Sequence, residues 1–280
     1  MPRTRSFVQV DVFSTSPYRG NPVAVVLDGT DLTEEEMQRL ARWTNLSETT
    51  FVLPPTTPDA DYRLRIFTPQ GELPFAGHPT LGSARAWLDG GGVPQHTGRV
   101  VQECAAGLVT VRLDEDALSF AAPPRLRDGE LDDVHLDQIV TAFGITRDRV
   151  LAHQWVDNGP GWAVVQLATA DEVLALEPDL SLIPTAMVGA IGAHPEGSEH
   201  RFEMRTFAPR VGVPEDPACG SMNAGVGQWL TSTAAAPSTY RVSQGTRLGR
   251  AASIEITADA DGTVWVGGAA TVCIRGTITL

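Results

Sequence analysis

The stretch EDPACGSMNAG, residues 215–225, gathers side chains that could do chemistry just ahead of a helix pattern. Its Cys219 is a candidate nucleophile. Gly220 and Ser221 could hold an anion, because a helix start offers backbone N–H groups without intrahelical partners. Asp216 could bind a substrate amine or orient a histidine. The same stretch also suits a tight turn, in which Asp216 has only a structural role.

A second group of candidates lies in the first third of the chain. Glu48, in NLSETTFVLPP, stands beside the start of an apolar strand pattern. Burial there would raise its pKa toward the range useful for proton transfer. His78 follows Gly77 at another Gly-started helix pattern and could donate a hydrogen bond to a substrate. Each has a simpler interpretation, with Glu48 at a surface strand edge and His78 as a capping or packing residue.

The two groups lie in related halves of the chain. The segments 20–27 (GNPVAVVL) and 62–88 are matched by 158–167 (NGPGWAVVQL) and 202–230. In both copies an arginine-containing strand ends in Phe-x-Pro and leads to a Gly-started helix that ends in Trp-Leu. This pattern predicts an internal duplication. Two related helix starts could face each other across a cleft between lobes and hold an anionic substrate.

The elements that must position these residues are mostly strands. Alternating or apolar runs predict strands at 7–13, 23–27, 50–53, 62–67, 100–103, 108–114, 253–259, 263–272 and 274–280. A Thr-x-x-Glu capping box predicts a helix from Thr33, and LDQIVTAFG predicts one that closes at Gly144. We expect an α+β fold of two lobes, each a curled sheet around one long helix. The N-terminal lobe is expected at 1–120, completed by the C-terminal strand 270–280, and the C-terminal lobe at 121–269.

Composition excludes several classes of function. The chain has 280 residues, a formal net charge of −13 and 21 basic residues, all of them arginine. Without lysine there is no pyridoxal phosphate enzyme, no P-loop and no lysine base. The negative charge disfavours nucleic acid as a partner. We expect no membrane span, no signal peptide and no metal, and hence a cytoplasmic protein.

The three cysteines are too few and too far apart for a disulfide framework or a zinc site. Cys104 and Cys273 stand in strand patterns, where we expect small core residues. Only Cys219 stands at a predicted helix start, so it alone remains a candidate for chemistry.

Six motifs in order resemble the PhzF-type isomerases, a family named from phenazine biosynthesis that belongs to the diaminopimelate epimerase fold. They are VDVFSTSPYRGNPVAVV, NLSETTFVL, IFTPQGELPFAGHPTLGSA, NGPGWAVV, EDPACGSMNAG and SQGTRLGR. The resemblance implies two pseudo-symmetric lobes, each a barrel-like, mostly antiparallel sheet around a central helix. It also implies an active site between the lobes and a homodimer.

The resemblance assigns roles to individual residues. It implies Glu48 as the general acid/base and His78 and Asp216 as residues that hold and polarise the substrate. Further contacts at the two helix starts are implied for Gly77, Gly220 and Ser221. The implied enzyme needs no metal or organic cofactor and moves a proton within a small carboxylate-bearing substrate, which could also carry an amine. Membership alone does not carry over the substrate of the phenazine enzyme.

Two other functions stay open. In epimerases of this fold two cysteines, one at each helix start, act as base and acid. Here Cys219 occupies the second position and Ala76 the first, so a two-base racemase is not expected. Cys219 could contact the substrate, or could work with His78 in a cysteine-dependent epimerase or hydrolase. A catalytically silent module would instead bind a small molecule or a protein without proton transfer.

Overall fold

The computed structural model describes residues 3–280. The chain divides into two compact units. The first takes the described residues up to Ala121 together with Gly267–Leu280, and the second takes Ala122–Val266. Strands dominate and a few helices lie among them, so the predicted α+β class is confirmed.

The elements follow one another with short connections. The strands are β1 Thr4–Val12, β2 Asn21–Val26, β3 Glu48–Leu53, β4 Tyr62–Phe67, β5 Glu72–Leu73, β6 Arg99–Cys104, β7 Gly107–Leu113, β8 Leu118–Ala121, β9 Ala152–Trp155, β10 Ala163–Thr169, β11 Val188–Ala193, β12 Phe202–Ala208, β13 Val213–Asp216, β14 Thr239–Gln244, β15 Ala252–Ala258, β16 Val264–Gly268 and β17 Ala270–Thr279. The α-helices are α1 Glu34–Thr44, α2 Gly77–Asp89, α3 Asp133–Ala142, α4 Ala170–Leu174 and α5 Gly220–Ser232. Short 3₁₀ helices cover Arg147–Arg149, Leu180–Leu182, Pro209–Val211 and Thr246–Leu248.

The two units repeat one order of strand pairing. In the first, β2–β3 is parallel, β3–β4 and β4–β5 are antiparallel, β4–β6 is parallel and β6–β7 is antiparallel. In the second, β10–β11 is parallel, β11–β12 and β12–β13 are antiparallel, β12–β14 is parallel and β14–β15 is antiparallel. The registers align Ala24 with Ala163 and Phe67 with Phe207, as the matched sequence segments do. An internal duplication explains both the sequence match and the repeated topology.

The C-terminal strand is part of the first unit. β17 pairs antiparallel with β1 from Thr4 opposite Thr279 to Val12 opposite Ala270, with one irregularity after Gln9. β1 pairs with β2 on its other side. The first unit is therefore built from both ends of the chain.

Most of the predicted elements are confirmed. Thr33 and Glu36 form the predicted capping box of α1, and Gly144 follows α3 with a φ of +65°, the left-handed conformation expected where a helix closes. β3 begins at Glu48, two residues before its predicted start at 50. The expectation for Cys273 was wrong, because this side chain is only partly buried, whereas Cys104 is buried.

Candidate active site

Glu48 and His78 lie side by side in the first unit. Glu48 is the first residue of β3 and His78 the second residue of α2. Nε2 of His78 is 3.3 Å from Oε2 of Glu48, and the Glu48 side chain is 14% exposed. Glu48 is opposite Val23 of β2 in a parallel pair. A paired strand and a helix start thus hold a carboxylate and an imidazole in contact.

His78 carries no charge near neutral pH. Burial lowers its pKa to about 3, and a hydrogen bond with the backbone of Pro22 opposes this shift only in part. A neutral imidazole has one nitrogen that donates and one that accepts. Nδ1 lies 3.2 Å from Nδ2 of Asn21, a contact that orients the ring. The Nδ1 contact with Asn21 leaves Nε2 of His78 to interact with Glu48 or with a ligand without adding charge.

The start of α2 suits an anion. Its N-cap is Ala76, which makes no side-chain capping hydrogen bond. The first two positions of α2 offer the backbone N–H groups of Gly77 and His78 as donors. Pro79, at the third position, has no N–H. The helix dipole adds partial positive charge there. A ligand carboxylate is the kind of group such a helix start binds.

Asp216 ends β13 in the second unit. Its Oδ1 accepts a hydrogen bond of 3.0 Å from the backbone N–H of Ala218. Burial raises the pKa of Asp216 to about 6; hydrogen bonds from Ala218 and Cys219 act against this, and the charge of Glu215 adds to the rise. Asp216 can therefore change its protonation state close to neutral pH.

Cys219, Gly220 and Ser221 form the start of α5. The buried Cys219 is the N-cap, and its backbone N–H donates to Oε1 of Gln244 at 3.2 Å. Its Sγ lies 3.7 Å from Oγ of Ser221. Ser221 Oγ also accepts a 2.8 Å hydrogen bond from Nε1 of Trp162, so its own hydroxyl proton is not used in that bond and can be donated to another acceptor.

The structure thus places the predicted residues in two sets. One set belongs to the first unit and consists of Glu48, Gly77 and His78. The other belongs to the second unit and consists of Asp216, Cys219, Gly220 and Ser221. Each set is built around the start of one of the two duplicated helices.

Equivalent positions of the two copies carry different chemistry. The pairs, with the first unit named first, are Glu48 and Met187, Leu73 and Asp216, Ala76 and Cys219, and His78 and Ser221. Each titratable candidate therefore occurs in one copy only. Such an arrangement fits one acid/base acting on a held substrate better than two symmetric bases.

The sequence matches the PhzC-PhzF family, described as phenazine biosynthesis-like protein, over residues 10–276. The chain belongs to this family. The resemblance seen in the six motifs is therefore confirmed, and the match extends over almost the whole chain.

PhzC-PhzF relatives carry different names. The chain is 40% identical over 288 residues to Antisense-enhancing sequence 1 of Schizosaccharomyces pombe, with 97% of each chain covered. It is 38% identical over 226 residues to trans-2,3-dihydro-3-hydroxyanthranilate isomerase of Pseudomonas fluorescens, covering 77% of this chain and 76% of the relative. A solved PhzF-family structure from Enterococcus faecalis is 24% identical and superposes with a TM-score of 0.84, covering 99% of this chain and 100% of the other. The last comparison shows the fold.

The family and its named relatives identify this PhzC-PhzF member as an isomerase. The predicted class of enzyme is thereby confirmed. This finding speaks against the catalytically silent binding module, which would have kept the fold and lost proton transfer.

Sequence reasoning missed the polar side chains that hold the two helix starts of this PhzC-PhzF protein. Asn21 contacts His78 in the first unit. In the second, Trp162 donates to Oγ of Ser221 and Asn158 donates to its backbone oxygen at 2.8 Å. The recurring Gly/Asn/Pro turn contained both asparagines and was the signal that could have identified them.

Metal-binding clusters and membrane-spanning helices are both absent from residues 3–280. In that part of the chain no cluster of three or more His, Cys, Asp or Glu side chains could hold a metal ion. Nor is any helix there long and apolar enough to cross a membrane.

Proposed function

We propose that this isomerase moves a proton within a small carboxylate-bearing substrate, with Glu48 as the general acid/base. The observation that carries the proposal is the 3.3 Å contact between Oε2 of Glu48 and Nε2 of His78 at the start of α2. A largely buried carboxylate beside a neutral imidazole can take up a proton and return it without losing it to water. His78 would keep the carboxylate oriented through both steps.

In this proposal the substrate binds between the two lobes, at the two helix starts. The backbone N–H groups of Gly77 and Gly220 would receive its carboxylate. The Ser221 hydroxyl would donate a further hydrogen bond, and Cys219 would line the site. Above a pH of about 6 Asp216 is mainly ionised and would pair with a substrate amine.

The proposed reaction is balanced within one molecule. Glu48 removes a proton from a carbon, and the C–H electron pair moves into a conjugated system that includes the bound carboxyl group. Glu48 then returns the proton to another carbon of that system. Because nothing is oxidised or reduced, we propose that the reaction needs no cofactor; a cytoplasmic homodimer is part of the same proposal.

The relative from Pseudomonas fluorescens suggests the first substrate to test. Its name describes a ring that carries a carboxylate, an amine and a hydroxyl group. The helix starts suit the carboxylate, and the carboxylate of Asp216 suits the amine. We therefore propose a cyclic amino-carboxylate as the substrate class, with trans-2,3-dihydro-3-hydroxyanthranilate as the first probe.

A cysteine-dependent reaction is the second candidate. It is favoured by Cys219, whose thiol lies at the start of α5, 3.7 Å from the Ser221 hydroxyl. A helix start can lower the pKa of a thiol and make it reactive. Against it stands Ala76, which occupies the equivalent position of the first copy.

The test is hydrogen exchange from heavy water into the substrate, followed by NMR over a panel of cyclic carboxylates with and without an amine. We expect exchange and product with the wild type and neither with Glu48→Gln. Glu35→Gln is the matched control, because that residue is exposed on α1. Exchange that survives in Glu48→Gln and is lost in Cys219→Ala would replace the proposal with the cysteine-dependent reaction.

A further inference from the structure

One short motif leads into both long helices. It is ELPFAG at 72–77 and EDPACG at 215–220, or Glu-x-Pro-x-x-Gly in each copy. In the first copy Arg65 of β4 donates from Nε and Nη2 to the two carboxylate oxygens of Glu72, at 2.7 and 2.6 Å. The residue after the glutamate differs between the copies, and in the second it is the site candidate Asp216.

The second copy repeats this fork in a more buried setting. Arg205 of β12 donates from Nε and Nη2 to Glu215 at 2.9 and 2.8 Å. Its Nη1 also donates to the backbone oxygens of Leu176 at 2.6 Å and Val173 at 3.3 Å. The side chains are 4% and 10% exposed, against 18% and 29% in the first copy. Because desolvation offsets much of the attraction in a buried ion pair, the fork contributes fixed geometry more than net stability.

The fork acts on the segment that carries Asp216. Asp216 is opposite Thr206 in the β12–β13 pair, and Thr206 follows Arg205 directly. The geometry points to Arg205 as a positioning residue: its fork to Glu215 fixes the backbone of β13 and thereby directs the Asp216 carboxyl group at the start of α5. This inference rests on the proposed role of Asp216 in holding the substrate.

The charges around Asp216 make the inference testable. Burial is the main cause of its raised pKa; the charge of Glu215 adds to the rise, and the Cys219 thiol donates a hydrogen bond that lowers it. Arg205 faces Glu215 and balances its charge. Glu215→Gln removes the negative charge and leaves Arg205 positive, and both effects lower the pKa of Asp216.

The first test is a ¹³C NMR titration of the full chain with labelled aspartate carboxyl groups, in which Asp216→Asn assigns the signal. We expect Glu215→Gln to lower the Asp216 midpoint below the wild-type value of about 6. Glu72→Gln, the matched change in the other copy, should leave it unchanged. An Asp216 midpoint equal to that of the wild type in Glu215→Gln would overturn the inference.

The second test is Arg205→Lys, which keeps the positive charge and loses the two-bond fork. We expect kcat/KM with the probe substrate to fall about tenfold or more, whereas Arg65→Lys should retain it. Without the fork, the β13 segment is held less firmly and water can reach Asp216, so the Asp216 midpoint should fall in Arg205→Lys. This readout remains usable even if Glu215→Gln does not fold. An unchanged midpoint in Arg205→Lys would contradict the inference. The titration needs no turnover, so a wild type inactive on every substrate would count only against the proposed function.

Discussion

The imidazole of His78 lies against the carboxylate of Glu48, with Nε2 and Oε2 3.3 Å apart. Thirty residues separate them in the sequence, and they meet because a helix start and a strand start lie together in the first unit. Since burial holds the imidazole neutral, this is a close contact between a neutral ring and a carboxylate rather than an ion pair. In the proposed mechanism Glu48 accepts a proton from carbon beside this neutral partner.

The neutral state of His78 predicts a specific loss of stability in acid. In the unfolded chain a histidine titrates near pH 6.5, whereas burial lowers the pKa of folded His78 to about 3. Between these values the unfolded state binds more protons, so the free energy of unfolding falls as the pH drops. His78→Gln removes this contribution to the pH dependence of the free energy of unfolding. Between pH 7.5 and 4.5 the wild type should lose roughly 2–3 kcal/mol more than His78→Gln.

Urea unfolding at the two pH values measures this difference. His96→Gln is the control, because His96 is exposed and the variant should keep the pH dependence of the wild type. If His78→Gln lost as much stability in acid as the wild type, His78 would not be neutral in the folded protein.

The raised pKa of Asp216 predicts a change of stability with pH that is opposite in sign to that caused by His78. The folded pKa of Asp216, about 6, exceeds the ordinary aspartate value of 3.8, so between these values the folded state binds more protons. The wild type therefore loses stability as the pH rises from about 4 to 6, and the loss persists above that range. Asp216→Asn should stabilise the protein at pH 7.5 by roughly 1–3 kcal/mol, with a smaller effect at pH 4.

Denaturant unfolding at pH 4 and 7.5 measures the change in stability, and a turnover assay measures the change in activity. Asp216→Asn should lose turnover while it gains stability at the higher pH. Asp116→Asn, at an exposed turn position, should match the wild type at both. A variant Asp216→Asn that is less stable than the wild type at pH 7.5 would contradict the raised pKa.

Local signals explain which parts of the fold could be predicted from sequence. The capping box at Thr33 and the left-handed Gly144 mark helix ends through neighbouring residues alone. The long helices α2 and α5 were found because the duplication repeats their glycine starts. By contrast α4 spans Ala170–Leu174, too short for a helical period to show in the sequence.

The candidate site could be predicted only in part, because its supporting contacts are distant in sequence. Glu48 and His78 stand in recognisable local contexts. The Asn21 amide that orients His78 comes from strand β2, whereas His78 lies on helix α2, and no sequence period links the two. The fork between Arg205 and Glu215 likewise depends on how β12 and β13 pair.

Cys219 should be dispensable for proton transfer under the proposed mechanism. Its position at the start of α5 is compatible with substrate contact, and serine preserves the size and polarity of the group. Cys219→Ser should therefore lose less than about tenfold in kcat/KM. Steady-state kinetics with the probe substrate measure this, with Cys273→Ser as the control for a cysteine in a strand. Complete loss in Cys219→Ser, with the fold retained, would favour the cysteine-dependent reaction.

The duplicated helices predict a graded cost of adding one methyl group. Gly82 and Gly225 occupy the sixth position of α2 and α5. A Cβ on Gly82 would lie 2.3 Å from Cγ1 of Val23, and one on Gly225 would lie 2.2 Å from the backbone oxygen of Val156. A backbone oxygen in a paired region cannot move away from an added Cβ as easily as a side-chain methyl group can. Gly82→Ala should destabilise by about 1–3 kcal/mol, and Gly225→Ala by at least as much.

Gly227→Ala is the matched control within α5. A Cβ there would meet only the methyl groups of Ile256 and Val264, at 3.0 and 3.2 Å. The gain of alanine over glycine in a helix, about 1 kcal/mol, should offset this mild crowding. Denaturant unfolding of the three variants should therefore give Gly227→Ala a free energy of unfolding close to that of the wild type and Gly225→Ala the lowest free energy of unfolding. If Gly225→Ala were as stable as Gly227→Ala, α5 would not approach the backbone at Val156 as closely as the structure has it.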